Sequence, residues 1–488
     1  MKILFINPAI DTETNEIWAT ALRLDILDGM SFIPRLAPMI LAALTPKEHS
    51  FTFLDEDLEA IDFEKVDADL IAITGMTVQA KRAYQLAAHF RKEGRLVIMG
   101  GIHASSCPDE VAFHVDAVCT GKAENYWPEV LKDAKAGRLK KFYREQNYPP
   151  LMNQPIPRVD VANHDRYSVF PIQATRGCPY TCEFCCIKVS SGHKYIKKPI
   201  SQVVAEIIEL EKHNNGPFKK RYHFMDDNLY VDKDYTAALF KALIPLNISW
   251  MGMGSLNIAL DEEMLDLMAA SGCRALGIGF ESISEENLKE AKANKKNTVS
   301  VAEYKVVAQN LIKRGIVPTG FFIFGFDHDD ESCFKRTTDF IIENNIMIAY
   351  FSILTPFPKT VLYERMRDKI IDCNWSHYGS LKCVYQPGKL SPKQLEAGMY
   401  QATLDIAKLA VVKKHLRYFW SHGPWERNPA LILKERVMLI ALAFKLRKKK
   451  EFARYLIWAA FQRRATDIYQ IISLGVYYNE TLRFKDLL

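Results

Sequence analysis

Between residues 171 and 355 the sequence switches repeatedly between short apolar runs and longer amphipathic ones. "PIQATRG", "RYHFMDDN", "ISWMGMGS", "RALGIGFES", "VPTGFFIFGF" and "MIAYFSILTPFP" read as strands, and segments such as "SQVVAEIIELEKHN" and "SVAEYKVVAQNLIKRG" between them as helices. Strands that are apolar along their whole length, separated by helices, must be covered on both faces, which makes the sheet parallel. Six such units fill about 190 residues, where a closed eight-unit barrel takes about 250. A partial (β/α)6 barrel is therefore predicted over 171–394.

The same alternation precedes it. "KILFIN", "SFTFLD", "LIAITGM", "RLVIMGG" and "AVCTG" read as strands in 1–140, with helices such as "VQAKRAYQLAAHFRKEG" between them. This predicts a second α/β unit, a Rossmann-like domain. Ligands of such sheets bind beyond the C-terminal ends of the strands. Those ends carry "NPA" (7–9), "TGMT" (74–77), "GGIHA" (100–104) and "TGKAE" (120–124), small and polar residues that allow close backbone approach. No G-x-G-x-x-G follows a strand here, so a dinucleotide is not expected.

The prolines of "YPPLMNQPIPRVD" mark 141–170 as a linker. Beyond about 395 the strand pattern stops and a helical extension is predicted over 395–488. Residues 405–488 hold 17 Lys and Arg against 7 Asp and Glu, whereas the whole chain carries only +6. A basic amphipathic helix of this kind suits an anionic membrane face; a helical cap with a solvated basic face and an RNA contact are the other readings. Nothing there resembles an appended RNA-binding module, and a nucleic-acid partner is not expected. No run reaches the 18–20 or so apolar residues of a membrane span, and the N-terminus does not read as a secretory signal. A cytoplasmic protein, in peripheral contact with the membrane at most, is expected.

Of ten cysteines, six are scattered. Cys178, Cys182 and Cys185 share the spacing C-x3-C-x2-C, with Cys186 beside them, directly after the first barrel strand. That rim is where barrels of this kind keep their chemistry. Three thiolates from one loop can hold three irons of a 4Fe–4S cube, leaving the fourth iron open. A zinc site is the competing reading, but it typically pairs two Cys elements or a Cys pair with a His pair, and no second pair follows.

"RGCPYTCEFC" resembles the signature loop of the radical S-adenosylmethionine (SAM) superfamily, including Phe184 before the last cysteine. The resemblance implies a 4Fe–4S cluster on Cys178, Cys182 and Cys185 that binds SAM and cleaves it reductively to a 5′-deoxyadenosyl radical. A flavodoxin- or ferredoxin-type donor would supply the electron. "HFMDDNL" (223–229) is similar to the family's second-strand motif, which places Asp226 and Asp227 near SAM; the simpler reading is that they cap the following helix. "GIGFES" resembles the fourth-strand motif, with Glu281 facing SAM, and "GFFIFGFDHDDE" the fifth-strand motif, with Gly325. "TPFPKT" resembles the sixth-strand loop, with Lys359 where Gly is common.

A Rossmann-like domain ahead of such a barrel resembles the cobalamin-binding branch. That implies cobalamin contacts from Asn7, Thr74, Met76, Thr77, Gly100, Gly101, His103 and Glu124. His103 is expected as a loop histidine near the corrin or as a cobalt ligand. "TGKAE" departs from the branch's usual Gly-Glu-Gly-Glu by placing Lys122 and Ala123, and the Asp-x-His-x-x-Gly motif is absent. The extension is similar to that of hopanoid methylases. The function this implies is methylation of an unactivated carbon on a lipid-like or natural-product substrate. A cyclase or rearrangement enzyme with the same cofactors, and an iron–sulfur electron-transfer protein, are the alternatives.

Overall fold

The structure is a computed structural model. It describes residues 1–10, 23–24, 30–31, 35–144, 150–152, 154–162, 167, 169–192, 194–213, 221–291, 299–423, 455 and 459. The expectations of membrane contact and a basic helix beyond residue 423 fall outside these residues. The chain divides into two compact units: Met1–Asp232 with Thr355–Gln386, and Lys233–Leu354 with Pro387–Leu488.

In the first unit, β1 (Lys2–Asn7), β2 (Ser50–Asp55), β3 (Leu70–Thr74), β4 (Leu96–Gly100), β5 (Ala117–Thr120) and β6 (Phe142–Arg144) form one sheet. Its order is β2-β1-β3-β4-β5-β6 and every pairing is parallel. The order reverses between β1 and β3, the switch point at which doubly wound sheets open a crevice for ligands. Apolar strands hold the sheet in place: Ile3 to Ile6 and Leu70 to Ile73 are all buried. Helix α1 (Leu36–Leu44) and helix α2 (Ala80–Lys92) lie in the crossovers. Ala83, Leu86, Ala87 and Phe90 of α2 recur at helical spacing and join the core of Ile71, Ile73, Val97 and Met99.

Two differences from the sequence reading stand out. Strand β6 lies inside the stretch read as linker. Its Tyr143 is buried and its hydroxyl donates to Asp133 at 2.8 Å, so the edge of the sheet has its own packing. His103 lies on a helix, α3 (Gly101–Ser106), rather than on a loop. Gly101, at φ +94°, turns the chain sharply after β4 and helix starts at once, followed by α4 (Pro108–His114) and α5 (Trp127–Lys135).

The first unit also holds β7 (Phe170–Ile172), β8 (Thr175–Arg176), β9 (Ile196–Lys197) and β10 (Arg221–Phe224), with α6 (Ile200–Lys212) before β10. Strands β7 and β10 pair in parallel, and β8 pairs antiparallel with β9.

The second unit contains the parallel strands β11 (Ser249–Gly254), β12 (Cys273–Glu281), β13 (Val317–Phe324) and β14 (Ile348–Ile353), paired in chain order. Among the crossover helices are α7 (Glu262–Ala270), capped by Asp261 on the N–H of Met264 at 3.2 Å, and α8 (Tyr304–Lys313). Phe280 stacks on Phe322 at 5.2 Å between centroids, filling the space between strands and helices. The helices α9 (Pro392–Ile406) and α10 (Leu409–His422) follow. Among the described residues no helix is long and apolar enough to cross a membrane.

Candidate functional site

The cysteine loop is the turn between β8 and β9, and its root is tightly specified. Gly177 has φ +86°, and a Cβ there would lie 2.0 Å from the carbonyl oxygen of Lys194. Any other residue would have to push the two ends of the loop apart. At the end of β10, Asp226 is buried and accepts from the N–H of Ala174 at 3.2 Å, the N–H of Thr175, and Thr175 Oγ1 at 2.6 Å. Asp227 Oδ2 accepts from the N–H of Gly177 at 2.7 Å. The "DD" pair thus fixes the backbone that launches the cysteines. Burial outweighs these donors and pushes the Asp226 carboxyl up to about 7.

Farther along the loop, Glu183 is buried. Its Oε2 accepts from Arg365 Nε at 3.0 Å, and its carbonyl from the N–H of Leu362 at 3.0 Å. Cys178, Cys182, Cys185 and Phe184 are half-buried. Burial raises the Cys178 thiol, against hydrogen bonds from the Tyr180 backbone and the Asn228 side chain. Burial raises Cys185 far more, opposed by the Ile187 backbone.

A cube gives each of the three thiolates its own iron. With backbone N–H groups aimed at two of the sulfurs, the loop fits an iron–sulfur cluster better than a zinc ion. Cys186 is raised chiefly by burial as well and has the charge of Asp227 nearby.

Arg176 is 4% exposed and runs from the root of this loop to the N-terminal sheet. Its Nη2 donates to Glu124 Oε1 at 2.7 Å and to Gln173 Oε1 at 3.0 Å, and Gln154 Nε2 donates to the same Glu124 oxygen at 2.9 Å. Glu124 stands just past β5, so the ligand-binding edge of the sheet and the cysteine loop meet in one unit.

Along that edge Asn7 is buried and committed inward: its Nδ2 donates to Asp55 at 2.7 Å, and Gln79 donates to its Oδ1 at 3.3 Å. Gln79 Oε1 accepts from the N–H of Met76 at 2.8 Å, Thr77 is buried, and Thr74 is half-buried. A Cβ on Gly101 would lie 2.8 Å from the N and O of Gly75, so β3 and β4 end almost in contact. Gly100 is half-buried beside it.

His103 is fully buried. Its Nε2 meets Tyr84 Oη at 2.8 Å, its Nδ1 has no partner, and burial lowers its pKa to about 4. Tyr84 and Trp375 both donate to Glu110 Oε1, at 2.9 and 2.7 Å. The imidazole therefore belongs to a polar cluster beside α2 and the 355–386 segment. Lys359, held at φ +63°, donates to Ser105 O at 3.0 Å in the same region.

In the second unit Glu281 ends β12 at φ +59°, and Ser282 N–H donates to Phe280 O at 2.7 Å. This is a γ-turn in its rare, strained form. The Glu281 carboxylate has no hydrogen bond or ion pair among the described residues, and burial pushes it up to about 7. An unpartnered carboxyl on a strained strand end suits a cationic or N–H-bearing ligand such as SAM. Gly325 follows β13, its N–H given to Asp329 Oδ2 at 2.8 Å.

Sequence reasoning missed the Arg176–Glu124 pair and the Tyr84–His103–Glu110–Trp375 cluster. Both join residues at least 19 positions apart, and no local pattern marks them. The Arg-Gly before the first cysteine and the Glu of "TGKAE" were the only signals.

Residues 172–341 match the model of the radical SAM superfamily. The chain is 32% identical to bacteriochlorophyllide d C-12(1)-methyltransferase of Chlorobaculum tepidum, over 78% of this chain and 84% of that one. It is 29% identical to the C-8(2)-methyltransferase of the same organism, over 75% and 84%. Among solved structures it is similar to the radical SAM methyltransferase TsrM of Kitasatospora setae, solved with cobalamin and a [4Fe-4S] cluster bound. There the TM-score is 0.64 at 15% identity, covering 94% of this chain and all of that one. The fold is the α/β architecture expected, with a partial barrel. The chain belongs to the radical SAM superfamily, and as a radical SAM enzyme it uses a 4Fe–4S cluster and SAM.

Proposed function

We propose that this chain is a cobalamin-dependent radical SAM methyltransferase acting on an unactivated carbon of a large lipid-like or macrocyclic acceptor. The observation that carries this reading is the buried Arg176–Glu124 pair, which couples the cysteine loop to the ligand edge of the N-terminal sheet. The 32% identity to a bacteriochlorophyllide methyltransferase supports it and makes an alkyl carbon on a tetrapyrrole the first acceptor to test.

In this reading Cys178, Cys182 and Cys185 hold the cluster, Phe184 covers it, and Glu281 and Gly325 meet SAM. Asp226 and Asp227, given above as SAM contacts, act by fixing the loop's root. Thr74, Met76, Thr77, Gly100, Gly101 and Glu124 line the corrin edge; Asn7 and His103 brace it from behind. When bound, the cluster and SAM supply a hydrogen-abstracting radical and cobalamin a methyl group. The protein's work is to hold these groups and the acceptor in register and to exclude water and oxygen. The contact between buried Glu183 and the more exposed Arg365 keeps the loop closed around the cysteines.

The test is anaerobic turnover with methyl-labelled SAM, cobalamin, a low-potential reductant and bacteriochlorophyllide d, read by mass spectrometry. The expected result is deoxyadenosine together with label on a new carbon–carbon bond. Deoxyadenosine and an altered acceptor without label would replace this reading with a cyclase or rearrangement, and an inert SAM would reject both.

A further inference from the structure

Lys122, just past β5, is half-buried, and its ammonium makes no hydrogen bond or salt bridge among the described residues. Its charged neighbours are Arg176, Glu124 and Asp227, and burial, the largest effect, lowers its pKa.

Arg176, although 4% exposed, leaves Nε and Nη1 without a hydrogen-bond partner among the described residues. The two carboxylates nearby are already engaged, Glu124 by Arg176 and Gln154, and Asp227 by the N–H of Gly177. What remains among the described residues is two buried N–H groups of Arg176 and the half-buried ammonium of Lys122, none of them with a protein acceptor. Native proteins almost always satisfy buried donors such as those of Arg176.

We propose that Lys122 and Arg176 form an oxyanion subsite that seats a carboxylate or phosphate group of the methyl acceptor. Guanidinium and ammonium donors together suit such a group, because each charge-assisted bond is stronger than a neutral one. The position fits a specificity role. It joins the ligand edge of the sheet to the root of the cysteine loop, so an acceptor anchored there by its acidic group has its carbon skeleton directed to one place. The inference rests on the methyltransferase reading for the identity of the ligand, but the anion site itself does not depend on turnover.

The experiment uses the full chain loaded with cluster and cobalamin, without reductant. Equilibrium dialysis against labelled inorganic phosphate at low ionic strength should show saturable binding. Lys122→Met should weaken it about tenfold or more, and Lys122→Arg should restore most of it. Cluster and cobalamin absorbance of each variant reports folding and loading. If wild type binds no phosphate, or Lys122→Met binds it equally, the subsite does not exist. If Lys122→Met loses cobalamin instead, the lysine is a corrin contact and the proposal fails.

Two further arms identify the source of the anion. Saturating SAM should leave phosphate bound; displacement would assign the site to the SAM carboxylate and overturn the acceptor assignment. Bacteriochlorophyllide d with its free propionate should bind about tenfold more tightly than its methyl ester, and Lys122→Met should erase most of that difference. Equal binding of acid and ester would reject the acceptor assignment. Lys122-dependent phosphate binding with no binding of either tetrapyrrole would keep the anion site and discard the tetrapyrrole acceptor.

Discussion

Asp226 holds Thr175 by both its backbone N–H and its hydroxyl, the latter at 2.6 Å, and the same carboxylate takes the N–H of Ala174 at 3.2 Å. The carboxylate stands two residues past β10, and its partners, Ala174 and Thr175, belong to the stretch that leads into Gly177 and the cysteines. Asp226→Ala would leave three buried donors unsatisfied. With about 1–3 kcal/mol lost for each unpaired group, we expect a clear drop in melting temperature and at least a halving of iron bound per chain. Asp226→Asn keeps one carbonyl acceptor and should fall between. Iron and sulfide assays with thermal melts on the three proteins check this. Full iron in Asp226→Ala would show that the loop does not need its root.

The four clustered cysteines should separate cleanly. Cys178→Ser, Cys182→Ser and Cys185→Ser each remove one thiolate from the set assigned to the cluster. They should lose most of the iron and all SAM cleavage. Cys186→Ser should retain iron and cleavage within about twofold, because its thiol is assigned to packing beside Asp227. Anaerobic reconstitution followed by electron paramagnetic resonance of the reduced protein distinguishes the two classes. If Cys186→Ser loses the cluster as well, the ligand set is wrong.

The strands were legible because parallel strands are apolar along their length: "LIAIT" and "VPTGFFIF" leave little choice. The cysteine loop was legible because its chemistry is local, three ligands within eight positions. What stayed hidden is of two kinds. Strand β6, "FYR", is three residues long, too short for any period to show. The long-range polar contacts were hidden too. Asn7 sits where a ligand contact was expected, yet the fold spends it on Asp55, 48 residues away. In sequence His103 reads as a loop residue because its helix opens on the second of two glycines, which mask the onset of helical spacing.

Gly101 offers a test of the corrin edge. At φ +94° an alanine is strained, and its Cβ would lie 2.8 Å from both the N and the O of Gly75 and 2.9 Å from Thr74 Oγ1. Backbone neighbours on two sides cannot give way as a flexible side chain could. We expect Gly101→Ala to cost about 2–4 kcal/mol, combining the strained backbone with the clash, and to lower cobalamin retention several-fold while the iron content holds. Absorbance of bound cobalamin after gel filtration, beside an iron assay, separates the two. Unchanged cobalamin retention in a destabilised variant would place the corrin elsewhere on the sheet.

Glu281 gives a dependence on pH with a definite sign. Its carboxyl is raised by burial from the usual 4.5 to about 7. In the ligand-free protein the protonated form is favoured by folding, so its contribution is fully present below pH 4.5 and is lost as pH rises through about 7. At 1.36 kcal/mol per unit the loss is on the order of 3 kcal/mol by pH 8. Glu281→Gln cannot ionise, so without SAM it should match the parent near pH 4 and melt several degrees higher at pH 8. Adding SAM should reverse the order at pH 8: the parent gains a partner for its carboxylate, and the variant gains little. Melting curves from pH 4 to 8, with and without SAM, measure both effects. A difference between the two proteins that stays flat across that range would mean that Glu281 titrates as an ordinary exposed carboxylate, and an equal rise with SAM in both would remove it from the SAM site.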